Sequence, residues 1–130
     1  MDIFDYVPKD DYLTVKIERD GKVLTNEDGS EMYIEVWLPH SKEFKKVRHE
    51  QSDELMEKQK TKLKSAELEE LGLELLAKTT KGWNITAGEE APKFSVKKAK
   101  EIYAKAEWIV DLIEEKKAEH IAFTQGNVKP

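Results

Sequence analysis

The fold is decided by seven residues, MYIEVWL, at positions 32–38. Apolar side chains at every second position alternate with Tyr33, Glu35 and Trp37, and this period of two is typical of a β-strand with one buried face. By this alternation, the side chain of Trp37 points to the face of the strand opposite to the apolar side chains. Either a helix covers that second face as well, or Trp37 is an exposed anchor for a protein partner.

A second alternating stretch, YLTVKIE at residues 12–18, lies upstream of the first. Asp20-Gly21 follows it and predicts a tight hairpin, because glycine accepts a positive φ, and residues 22–25 then form a short return strand. These segments together predict a three-stranded antiparallel meander over residues 12–38, whose apolar face must be covered by other elements. Residues 1–11 are acidic and unpatterned, and we expect them to form a flexible arm.

Helical patterns begin downstream of the strands. Ser41 stands where a helix N-cap belongs, and the sparse apolar residues after it predict a highly charged helix from about Lys42 to about Lys60. Ser65 or a nearby residue caps a leucine-rich helix that ends at Gly82, in the position where a C-terminal glycine is expected. The residues after Gly82 enter a loop that extends to Lys93.

The last helical region begins with Ser95 as its N-cap. By its period alone, the pattern over residues 96–120 fits a single helix, but the wider apolar face around Ala106 equally allows a kink or a break. We therefore expect an α+β fold, in which the meander leads into a bundle of three or four helices over residues 41–123. Residues 12–123 form one domain, and residues 124–130 form a flexible tail.

The composition favours a protein-binding domain over an enzyme. The chain has 130 residues, no cysteine and a net charge of −5, so disulfides and thiolate metal sites are excluded. His40, His49 and His120 lack the spacing of a zinc site, and adjacent acidic pairs on a helix point in different directions. We expect no catalytic residue, no metal and no cofactor.

The N-terminus and the hydropathy pattern predict a cytoplasmic protein without a membrane partner. The first residues, MDIFDY, lack the basic region and apolar run of a signal peptide. No apolar stretch approaches the roughly 20 residues that are needed to span a bilayer.

Residues 42–64 contain a basic block of Lys42, Lys45, Lys46 and Arg48, followed by four more lysines. Interleaved acids favour a solvated helix, and an acidic protein partner is the next interpretation. An acidic chain with one arginine in this block is poorly suited to nucleic acid. A small nucleic-acid-binding regulator that uses this helix is therefore the alternative function.

The order of these signals resembles the tail assembly chaperones of long-tailed bacteriophages. The resemblance covers about residues 12–123 and depends on short elements. In this family a P-x-S-x-E-[FY] element opens the helices, and a G-W element is followed by F-S and a closing helix. The matching stretches are LPHSKEFK at 38–45, KGWNI at 81–85, PKFS at 92–95, AKEIY at 99–103 and EWIV at 107–110. One departure is Glu107, since the family often has proline before this tryptophan.

The resemblance implies an assembly factor, absent from the finished virion, that binds the tape measure protein and helps recruit tail tube subunits in the host cytoplasm. It also implies self-association and a longer, frameshifted form, and it transfers no catalytic residue. A chaperone for a long apolar helical chain needs apolar surface outside its own core. We expect that surface to include Trp37, Trp108, Leu112, Ile121 and Phe123.

Overall fold

The structure is a computed structural model that describes residues 2–123, apart from the side chain of Tyr6. The predicted tail at 124–130 lies outside the described residues. The elements follow the order of one 3-10 turn (Ile3–Tyr6), β1 (Tyr12–Lys16), β2 (Glu18–Arg19), β3 (Lys22–Val23), β4 (Tyr33–Trp37), α1 (Lys42–Glu57), α2 (Ser65–Lys78), β5 (Thr80–Asn84), α3 (Val96–Lys105) and α4 (Glu107–Ala122). The predicted α+β class, with four helices, is confirmed.

The main sheet is antiparallel and has the order β1-β4-β5. Tyr12 lies opposite Trp37 in the β1–β4 pair, and Ile34 lies opposite Trp83 in the β4–β5 pair. The alternation of β4 is confirmed, since Ile34 and Val36 are buried. The central strand of the sheet is therefore the strand with the clearest pattern in the sequence.

The prediction that residues 22–25 supply the third strand is wrong, because that position belongs to β5. Asp20-Gly21 does turn the chain, at φ values of 53° and 78°, but the short return strand β3 pairs with β2 in a separate hairpin. The Leu24 N–H donates to the Ile17 carbonyl, and the Met32 N–H donates to the Leu24 carbonyl. The three segments thus meet at one end of the sheet and do not lie side by side along it.

Helix α2 ends at Lys78, four residues before the predicted end at Gly82. The Thr79 hydroxyl donates to the Leu75 carbonyl, and the Thr80 hydroxyl donates to the Leu76 carbonyl. These side chains add hydrogen bonds to carbonyls of the last turn, where the backbone ladder of the helix ends. The chain then turns directly into β5, where the sequence predicts the end of the helix at Gly82 and a loop after it.

The hydrophobic core lies between one face of the sheet and the helices α2, α3 and α4. Its buried side chains are Val15, Ile17, Ile34, Val36, Leu76, Ala77, Ile85, Ala99, Tyr103, Ile109 and Ile113. The N-terminal half of α2 does not take part, and its Leu68 is 56% exposed. Helix α1 contributes one buried residue, Phe44, as its sparse apolar pattern predicts.

The predicted N-caps at Ser41 and Ser95 are confirmed. The Ser41 hydroxyl oxygen accepts from the Phe44 N–H at 3.1 Å, and the Ser95 hydroxyl oxygen accepts from the Lys98 N–H at 3.1 Å. The cap of α2 is Lys64, the residue before Ser65.

The last helical region consists of two helices, which decides between the two alternatives left open by the sequence. The break is at Ala106, whose φ of −110° and ψ of 71° are not helical. Helix α3 packs mainly against α2, whereas α4 also approaches β1.

None of the helices within residues 2–123 combines the length and apolar character needed to cross a membrane.

Candidate protein-binding groove

A groove of about 460 Å³ lies between α2 and the corner where α3 meets α4. Helix α2 lines one wall at positions 69, 72, 73 and 76, and α4 lines the other at 107, 110, 111 and 114. Both sets have the spacing i, i+3, i+4, i+7, which places each set on a single face of its helix. The groove is therefore formed by two helix faces, and no third helix of residues 2–123 covers them.

The floor of the groove is apolar. Leu76 and Tyr103 are buried at 3% and 0% exposure, and Leu73 and Val110 are half-buried beside them. Gly72 opens one wall, because a Cβ added at this position meets no heavy atom within 4 Å. The space above Gly72 can therefore accept a side chain from a partner.

Tyr103 fixes the floor to the sheet. Its hydroxyl oxygen lies 2.7 Å from Thr80 Oγ1. Thr80 has a single hydroxyl proton and donates it to the Leu76 carbonyl at 2.8 Å, so the Tyr103 hydroxyl is the donor of this pair. Burial raises the pKa of Tyr103 to about 12, which keeps the phenol protonated and able to donate.

The rim of the groove is acidic. Glu69 lies on α2, whereas Glu107, Asp111 and Glu114 lie on α4, and all four carboxylates are exposed. Among the described residues, only Glu114 of these four forms a salt bridge, to Lys117 Nζ at 3.6 Å. No lysine, arginine or histidine lines the groove within the described part of the chain. The groove thus combines an apolar floor with a negative rim, in which three of the four carboxylates form no salt bridge within the described residues.

The rim carboxylates do not form a metal centre. Within residues 2–123, no group of three or more acidic or imidazole side chains is placed to hold one ion. Charges that are spread along two helices suit several separate cations on a larger partner better than one metal ion.

The structure places Trp37 on the outer face of the sheet, where it is half-buried. Its ring meets Tyr12 edge-to-face at a centroid distance of 6.0 Å. Lys81 Nζ lies 4.6 Å from the Tyr12 ring and 5.8 Å from the Trp37 ring, and 3.8 Å from the Glu35 carboxylate. Much of the surface of Trp37 is therefore occupied by neighbours from the same sheet.

The other four predicted contact residues lie on α4 and at its end. Trp108 and Leu112 are half-buried at the edge of the core, and the Arg19 guanidinium lies 4.7 Å from the centre of the Trp108 ring. Ile121 is half-buried, and Phe123 is 67% exposed beside β1. None of the five predicted residues lines the groove between α2 and α4. Their contact with a partner stays a prediction.

Comparisons with protein-family models, curated proteins and solved structures find no match for this chain.

Sequence reasoning missed the groove, although both of its walls have a periodic signal. The pattern E-x-x-G-L-x-x-L at 69–76 and the pattern E-x-x-V-D-x-x-E at 107–114 each mark one helix face. That the two faces approach each other depends on the break at Ala106 and on the early end of α2. Neither feature was fixed by the sequence pattern.

Proposed function

We propose that this protein is a non-catalytic tail assembly chaperone of a long-tailed bacteriophage. It binds a helical segment of the tape measure protein in the groove between α2 and α4, and it helps recruit tail tube subunits. The groove carries the proposal, because a helix laid between two helix faces completes a three-helix packing arrangement. An apolar floor of this kind shields the apolar stripe of a helical chain that has not yet been enclosed.

The stretches that resemble the chaperone family support the proposal through their positions. Trp83 of the G-W element and Phe94 of the F-S element pack edge-to-face at 5.0 Å. The Trp83 indole N–H donates to the Pro92 carbonyl at 2.9 Å, so these elements join β5 to the start of α3. Two stretches that are separate in the sequence thus contact each other between β5 and the start of α3.

The test is to fill the groove. Gly72→Trp places a large side chain into open space, whereas Gly72→Ala leaves the groove free and is the matched control. Overlapping fragments of the tape measure protein from the same genome are titrated against each protein by fluorescence anisotropy. We expect at least one fragment to bind the unsubstituted protein and Gly72→Ala, and to bind Gly72→Trp at least 10-fold more weakly.

Two results would count against the proposal. One is that no tape measure fragment binds. The other is that Gly72→Trp binds as tightly as Gly72→Ala while its circular dichroism spectrum and melting temperature are unchanged. Recruitment is tested separately, by asking whether the chaperone–fragment complex retains purified tail tube protein on a size-exclusion column.

The alternative, a nucleic-acid-binding regulator, has one supporting observation. Lys42, Lys45, Lys46 and Arg48 are all exposed on the first two turns of α1. Exposed acids follow on the same helix, at Glu50, Asp53 and Glu54. Retention on duplex DNA that falls steeply with salt would favour the regulator, and absence of retention at low salt would eliminate it.

A further inference from the structure

We propose that the groove between α2 and α4 selects a cationic partner: an amphipathic helix whose apolar stripe is flanked on both sides by lysine or arginine. This inference rests on the proposed function and specifies the chemistry of the segment that is bound.

The rim provides the charge argument. Glu69 is on one wall, and Glu107 and Asp111 are on the other; these three have no salt-bridge partner among the described residues. A bound helix that offers apolar side chains to the floor brings its flanking positions next to these carboxylates. Cations at those positions form ion pairs, whereas acids there are repelled.

The length of the walls sets the size of the contact. From Glu107 to Glu114 the α4 wall spans eight residues, and the seven steps between them measure about 10 Å at the rise of an α-helix. A partner helix therefore engages about two turns. Two or three apolar anchors at spacing i, i+3 or i+4 reach the floor, and the cations lie one position to either side.

A second copy of this chain does not fit the groove as well. Its most cationic helix is α3, which has four lysines and one acidic residue. The apolar side chains of α3 that face inward, Ala99 and Tyr103, are completely buried in the core. Helix α3 of another copy would thus bring lysines to the rim and no free apolar stripe to the floor. The partner is a different chain, with both features on one helix.

The experiment uses three designed peptides of about 20 residues, long enough for five helical turns. The first has a leucine stripe flanked by lysines, and the second has the same stripe flanked by glutamates. The third has the composition of the first in an order that destroys the stripe. Fluorescence anisotropy is measured with the full chain at about 50 mM and about 300 mM NaCl, which changes the screening of exposed charges.

We expect the lysine-flanked peptide to bind at least 10-fold more tightly than the other two, and to lose affinity at the higher salt. Neutralising the rim with Glu107→Gln and Asp111→Asn should weaken its binding by about 5- to 20-fold at low salt. The matched control is Glu115→Gln with Asp53→Asn. It removes the same charge from exposed positions outside the groove and should leave binding unchanged.

The inference is overturned if the lysine- and glutamate-flanked peptides bind equally, or if the control pair weakens binding as much as the rim pair. It is also overturned if sedimentation shows self-association that the rim pair abolishes, because the occupant is then a second copy. The proposed function fails by a different result, since it requires Gly72→Trp to lose the tape measure fragments whatever their charge. If Gly72→Trp loses binding while the rim pair leaves binding unchanged, the chaperone proposal stands and only the inferred selection for a cationic partner is refuted.

Discussion

The hydrogen bond between Tyr103 and Thr80 gives the sharpest test of how the groove floor is held to the sheet. The Tyr103 hydroxyl donates to Thr80 Oγ1, and Thr80 donates onward to the Leu76 carbonyl. Tyr103 is completely buried and Thr80 is 4% exposed, so water does not replace a lost partner. The two ends of this chain of hydrogen bonds should therefore respond differently to substitution.

Tyr103→Phe removes the first donor but leaves Thr80 bonded to Leu76. We expect it to lower the free energy of unfolding by about 1 kcal/mol, the typical net value of one hydrogen bond. Thr80→Val removes the acceptor and strands the Tyr103 hydroxyl as a buried donor without a partner. The penalty for a stranded group is about 1–3 kcal/mol, and the bond to Leu76 is lost as well, so Thr80→Val should cost about 2–4 kcal/mol.

The double variant decides the interpretation. With both polar groups removed, no buried donor is left without a partner. The double variant should therefore lower the free energy of unfolding by less than the sum of the two single variants, with a difference of at least about 1 kcal/mol. The assay is urea unfolding followed by circular dichroism and tryptophan fluorescence, with an unchanged slope as evidence that the native state is intact. Tyr33→Phe, on the half-exposed outer face of the sheet, is the control and should change stability by less than 0.5 kcal/mol, as is usual for surface substitutions. The reasoning would be refuted if the two substitutions lowered the free energy of unfolding additively. It would also be refuted if Thr80→Val lowered it by no more than Tyr103→Phe.

Three further predictions follow from the same structure. Because burial raises the pKa of Tyr103 to about 12 from about 10 in the unfolded chain, the stability that it contributes is complete below pH 10 and is lost as the pH rises towards 12. The loss is at most about 3 kcal/mol, and urea unfolding at a series of pH values should show it in the unsubstituted protein but not in Tyr103→Phe. Ser41→Ala should lower the free energy of unfolding by about 1–2 kcal/mol, measured by thermal unfolding, because the buried hydroxyl accepts from the Phe44 N–H and donates to a backbone carbonyl. Ser95→Ala removes an exposed cap and should lower it by less. Gly72→Ala should raise the free energy of unfolding by up to about 1 kcal/mol, because alanine favours the helix and meets no neighbour there.

The parts of the fold that the sequence predicts are those with a strong local pattern. Strands β1 and β4 have the full alternation of apolar and polar residues, and the caps at Ser41 and Ser95 have the expected side chain in the expected place. In each of these cases the local preference agrees with the tertiary environment. Local agreement of this kind makes an element predictable from one sequence.

Strand β5 was missed because its local signals compete. Thr80-Lys81-Gly82-Trp83-Asn84 follows the helical period of α2 without a gap, and Gly82 imitates a C-terminal helix glycine. The helix ends earlier because threonine hydroxyls bond back to its last carbonyls, and the free edge of β4 accepts the next residues as a strand. Pairing with a strand nearly 50 positions earlier in the chain is invisible to a window of local sequence.

The groove depends on the same two departures from the local pattern. If residues 96–120 formed one continuous helix, Val110 would lie seven positions after Tyr103 and on the same face, turned towards the sheet. With the break at Ala106, Tyr103 remains in the core against β5, and Val110 packs against the edge of the core while it lines the groove. Helix α3 packs against α2, whereas α4 approaches β1. The facing sides of α2 and α4 are therefore separated, and the groove with its apolar floor and acidic rim lies between them. The proposed chaperone function requires apolar surface outside the protein's own core. The non-helical residue Ala106 makes such surface available while the core remains closed beneath it.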